Sequence, residues 1–167
     1  MASATYQGPV GLFPAPTTIR GDTRGGAPAG VPPVPPAAVD LLARSDAELV
    51  AAQLSTSPGE RFVHAHLAAL RAGAALLQVT GRPQRRPSPR TVWEMVSLVA
   101  PALAPWTAYF ADGARLRSAI EAGRDEVVDA ERAEQLVCVA EDFQDAVRAL
   151  LDDPARGQMA ARGVRAS

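Results

Sequence analysis

Apolar residues recur along this chain at intervals of three and four, the spacing that lines one face of an α-helix. No stretch alternates apolar and polar residues as a half-buried strand would. The clearest helical segment is residues 58–79. Ser57 can cap it, Pro58 suits its first position, and Glu60 completes a capping box. At roughly 100° per residue, Phe62, Val63, His66, Leu70, Ala74 and Leu77 form its main apolar stripe, with Arg61, Ala65, Ala68 and Ala72 on another face. His66 is therefore expected to point into packing and His64 toward water. Gly81 and Pro83 stop the helix.

Upstream, Val39, Leu41 and Leu42 suggest a short extra N-terminal turn of helix. Ser45 and Glu48 read as a capping box that opens a separate helix through Leu54. Downstream, Ser88 and Pro89 can start a helix carrying Val92, Trp93, Met95, Val96, Val99 and Leu103, which Pro101 should split. Pro105 starts a piece bearing Trp106, Tyr109 and Phe110. The broad apolar surface around Trp93, Met95 and Trp106 reads as core or as a dimer interface. Asp112 and Gly113 suggest a turn, and Leu116 to Ile120 a shorter helix ending near Gly123. Asp129 can cap a last long helix to about Leu151, with Leu136, Phe143, Val147 and Leu150 on its apolar face. The pattern predicts an all-α fold: an antiparallel four-helix, up-and-down bundle with a short extra N-terminal helix and a split middle helix.

Composition sets the borders. Residues 1–37 are rich in proline, glycine and alanine, and the stretch VPPVPPAAV, residues 31–39, favours extended polyproline backbone. We read them as a disordered tail, residues 38–153 as the bundle, and residues 154–167 as a frayed C-terminus. The uncharged stretch 95–111 is short for a membrane span and is broken by prolines, so no membrane association is expected. The N-terminus lacks the pattern of a secretory signal, which makes the cytoplasm the expected location.

The charge changes little. The net charge is −1, and all 17 basic residues are arginine, with no lysine and no asparagine. A GC-rich coding sequence explains that bias, so arginine abundance alone says little about phosphate binding. The connection GRPQRRPSPR places Arg82, Arg85, Arg86 and Arg90 together, a candidate ligand- or RNA-binding loop. It holds no aromatic residue to stack bases. The lone Cys138 excludes an intramolecular disulfide and reads as a small core residue. His64 and His66 are two apart and do not share a face, so no metal site is expected there. Glu141 and Asp145, one turn apart, read as a solvated face. No cofactor is implied.

The stretches RFVHAHLAALRAGAALL and AEQLVCVAEDFQDAVRALL, joined by a loop and a broken middle helix, resemble the HEPN class, the higher-eukaryote and prokaryote nucleotide-binding domain. The closest look is to an actinobacterial branch of small HEPN proteins, over residues 44–152. The resemblance implies a dimeric helical bundle. In many members it implies a metal-independent ribonuclease whose arginine, four to six residues and histidine lie near the start of the last long helix. Here that helix carries Arg132 and Arg148 and no histidine. Arg61 and His66 match the spacing by count, but in an early helix where their side chains diverge by roughly 140°. Arg61, His64 and His66 are thus the candidate catalytic residues. The expected function is a non-catalytic interaction module, a homodimer as the resemblance implies, with RNA, a nucleotide or a protein partner as ligand. The alternatives are a metal-independent endoribonuclease and a toxin–antitoxin component paired with a nucleotidyltransferase.

Overall fold

In a computed structural model of the chain, described for residues 33–83 and 91–153, every regular element is helical. Five α-helices follow one another: α1 (Pro36–Leu54), α2 (Pro58–Thr80), α3 (Val92–Val99), α4 (Ala104–Glu121) and α5 (Ala130–Asp152). Single 3-10 turns at Pro101–Leu103 and Asp125–Val127 join α3 to α4 and α4 to α5. The expectations for residues 1–32, for Arg85, Arg86 and Arg90, and for residues 154–167 lie outside the described residues.

Local chemistry sets most of the helix starts. The Ser57 hydroxyl accepts from the Glu60 amide at 3.1 Å, and the Asp129 carboxylate from the Arg132 amide at 2.8 Å. Thr91 forms a full capping box with Glu94 and opens α3. Pro101 divides the middle helix, and the chain resumes as α4 with Pro105 in its first turn, where a missing N–H costs nothing.

Three boundaries differ from the sequence expectation. α3 starts at Val92 under the Thr91 cap, not at Pro89, because the Thr91–Glu94 box satisfies the first amides there. Residues 36–54 form one helix of 19 residues, so there is no separate N-terminal turn and Ser45 caps nothing. The Ser45 hydroxyl lies buried, donates to the Ala68 carbonyl at 2.8 Å and accepts from Gln144 Nε2 at 2.9 Å. A serine with tertiary partners for its hydroxyl has no need to break its own helix. Asp112 and Gly113 likewise lie inside α4. A Cβ at Gly113 would stand 3.3 Å from His66 Cδ2, so glycine here serves close approach between helices.

α2 is the centre of the bundle and touches all four other α-helices. Contacts run in opposite order along α1 and α2 (Ser45 with Ala68, Arg61 with Ala52), so these two are antiparallel. The face of α2 that receives α1 is the alanine face: Ala65, Ala68 and Ala72 are fully buried, whereas Val63, Leu70 and Ala74 of the expected main stripe are only half-buried. Small side chains let the helix axes approach closely. α2 is also apolar and long enough to cross a membrane by length and composition, but over half of that window is buried inside the bundle.

The core is aromatic. Phe62, Trp93, Phe110 and Phe143 are buried, with Trp93 stacked on Phe110 at 5.0 Å and Phe110 against Phe143 at 5.2 Å. Trp106 is buried beside them. The broad apolar segment around Trp93, Met95 and Trp106 therefore spends its tryptophans on the inside of one chain.

A polar strap ties α1 to α5. Gln144 Nε2 donates to Ser45 Oγ and to Asp46 Oδ1, both at 2.9 Å, and Arg148 grips both Asp46 oxygens at 2.8 Å. Replacing Ser45 by alanine should cost about 1 kcal/mol, because Gln144 keeps Asp46 while the Ala68 carbonyl loses only an extra donor. Urea unfolding of the Ser45→Ala chain checks this.

Candidate functional site

The three residues singled out for catalysis are each taken by a different neighbour. His66 is fully buried on the α4 side of α2, between Phe62, Trp93 and Phe110. Its Nε2 donates to the Phe110 carbonyl at 2.9 Å, and its Nδ1 accepts from Arg117 Nη1 at 3.2 Å. The network assigns the neutral Nε2–H tautomer. Desolvation lowers its pKa from 6.5 to about 4; the Phe110 bond opposes this, and the Arg117 cation adds to it. Both ring nitrogens are thus engaged within the chain, and the ring has no exposed surface.

Arg61 works at a helix end. Its Nε donates to the Ala52 carbonyl at 3.2 Å and its Nη2 to the Ser55 carbonyl at 3.0 Å, which adds donors to the carbonyls at the end of α1. Its Nη1 pairs with Glu134 of α5 at 3.1 Å. One guanidinium thus holds the α1–α2 corner against α5.

His64 does not simply face water. Its Nδ1 lies 2.6 Å from Glu48 Oε2, and Glu48 also pairs with Arg71, which donates to the Arg44 carbonyl at 3.3 Å. The side chain is 36% exposed, so a carboxylate orients an imidazole that still reaches solvent. Glu48 reads as a helix cap in the sequence because its partners stand 16 and more residues away. Antiparallel register between α1 and α2 is the signal that would have paired them. Arg117 was missed for the same reason, lying 51 residues from His66.

In α5, Arg132 bonds Gln135 at 3.1 Å and stacks over the Tyr109 ring at 4.9 Å, and Arg148 is held by Asp46. Arg82 is exposed just after Gly81, whose φ of 80° ends α2. No group of histidine, cysteine or carboxylate side chains that could hold a metal ion occurs among the described residues. Cys138 is only part-buried; desolvation, with Glu134, Glu141 and Asp142, raises its thiol pKa and keeps it protonated.

The family comparison agrees with this architecture. A family model described as SAV_6107-like HEPN matches residues 52–148, from the last turn of α1 through most of α5. Neither the comparison with curated proteins nor that with solved structures finds a match. The matched stretch exceeds half of the chain and contains the aromatic core, the His66–Arg117 contact and the Arg61 corner; the chain belongs to the SAV_6107-like HEPN family.

Proposed function

We propose that this chain is a non-catalytic HEPN interaction module that works as a homodimer and serves to hold a ligand or partner, with RNA, a nucleotide or a protein as the candidates. The observation that carries the reading is the state of His66: buried, neutral and bonded through both nitrogens. α5 supports it, since it bears Arg132 and Arg148 without a histidine. The arginines support it too. Arg61, Arg71, Arg117, Arg132 and Arg148 all make intramolecular contacts, so each guanidinium already has a partner within the chain.

Purified chain incubated with mixed RNA in EDTA is expected to leave the RNA intact. A second reading, the metal-independent endoribonuclease, draws on the Glu48–His64 pair, the one oriented histidine with solvent access. EDTA-resistant cleavage that disappears in both His64→Ala and Arg61→Ala would establish that reading and overturn the first. Copurification with a nucleotidyltransferase would identify the protein partner of a toxin–antitoxin pair.

A further inference from the structure

The outer face of α1 carries an apolar stripe that the bundle does not use. Val39, Val50 and Leu54 are 53%, 53% and 77% exposed. With the exposed Ala43 and Ala47 they recur at intervals of four, four, three and four residues, within roughly 80° of helix surface. The opposite face, with Ala38, Ser45, Glu48, Leu49 and Ala52, is buried in the bundle. Beside the stripe lies a groove of about 310 Å³, walled by Val34, Val39, Leu42, Ala43 and Leu151 and bordered by the Asp46–Arg148 pair.

We propose that this face pairs with a second copy of the chain, α1 against α1 in antiparallel register about a two-fold axis beside Ala47. The proposal deepens the homodimer reading above and rests on it. The stripe complements itself in that register. Leu54 of one copy stands opposite Val39 of the other, and Val50 opposite Ala43, so large residues meet the groove-lining positions and small residues meet at the axis. A parallel pairing would set Val50 against Val50 and leave the groove unfilled.

Charge agrees with the same occupant. Asp46 falls next to the axis, where two bare carboxylates would repel. Each is gripped by its own Arg148 through two 2.8 Å bonds, so the two pairs meet as a balanced quartet of two acids and two guanidiniums. Size sets the strength. A helix of 19 residues is about 28 Å long and its stripe about 10 Å wide, which falls short of the roughly 800 Å² per partner of a standard stable interface. The dimer is therefore concentration-dependent.

The test uses the full chain with Cys138→Ser, to which Ala47→Cys is added. Mild oxidation should give a disulfide-linked dimer, because residue 47 sits beside the axis; Ser118→Cys, exposed on α4, should not. In sedimentation experiments across a concentration series, Val50→Asp should raise the dimer dissociation constant by about tenfold or more with an unchanged circular dichroism spectrum. Cross-linking of Ala47→Cys no better than of Ser118→Cys would overturn the proposal. So would a dimer that survives Val50→Asp, which would keep the homodimer reading and move its interface elsewhere. A chain that stays monomeric at every concentration would remove both.

Discussion

Replacing His66 by alanine should lower the stability of the folded chain by about 3 kcal/mol or more, with no accompanying loss of any RNA-directed activity. The ring fills a site with no exposed surface, in contact with Phe62, Trp93 and Phe110. Truncation leaves a cavity in rigid aromatic walls, the condition under which large-to-small changes cost most. It also strips Arg117 of its acceptor and the Phe110 carbonyl of its second donor. The better helix propensity of alanine returns only a few tenths of a kcal/mol. His64→Ala should cost well under half as much, since Glu48 retains Arg71. Denaturant titration of both variants measures the difference, and equal losses would contradict a core role for His66.

Acid should weaken the fold through the same ring. The pKa of His66 falls from 6.5 to about 4 on folding. Well above pH 6.5 the ring is neutral in both states and makes no pH-dependent contribution. Between pH 6.5 and 4 the unfolded chain binds the proton and the folded chain does not, so stability declines as pH falls. The full loss is about 3 kcal/mol, approached near pH 4, because each tenfold drop in proton affinity is worth about 1.4 kcal/mol. Protonation there would also set an imidazolium against the Arg117 guanidinium. Asp142 acts in the opposite sense: desolvation and Asp145 raise its carboxyl, so it takes up its proton earlier in the folded chain. Unfolding free energies measured at intervals from pH 7 to 4 should show the decline in the native chain and a much flatter profile in His66→Gln. A native chain as stable at pH 4 as at pH 7 would contradict the buried, neutral assignment.

Much of the helical order was legible because its causes are local. Ser57 and Asp129 cap amides three residues away, and Pro101 and Gly123 act on their own backbone, so each can be read within one turn of chain. The burial of His66 was also legible, from its place on an apolar stripe. What escaped depends on neighbours distant in sequence. Ser45 looks like a cap until Ala68 and Gln144 are brought to it. Gly113 looks like a turn until His66 packs on it. The alanine face of α2 looks second to the stripe of larger residues, although in a central helix small side chains decide which neighbour comes closest. The candidate site fared similarly: Arg61, His64 and His66 stand out by spacing, whereas their roles follow from Glu134, Glu48 and Arg117, which spacing cannot link to them.

The strap between α1 and α5 bears on how the chain comes together in time. Its hydrogen bonds join residues 98, 99 and 102 positions apart. The side-chain hydrogen bonds between α1 and α2, by comparison, join residues 27 positions apart or fewer. A chain emerging from its N-terminus can therefore finish the α1–α2 hairpin while α5 is still unmade. During that interval the buried Ser45 hydroxyl has only Ala68, Arg61 has no Glu134, and the faces of α2 that await α4 and α5 stand open. Arrival of the last helix is the event that seals the molecule. Substitutions at Gln144 or Arg148 should accordingly speed unfolding more than they slow the first collapse.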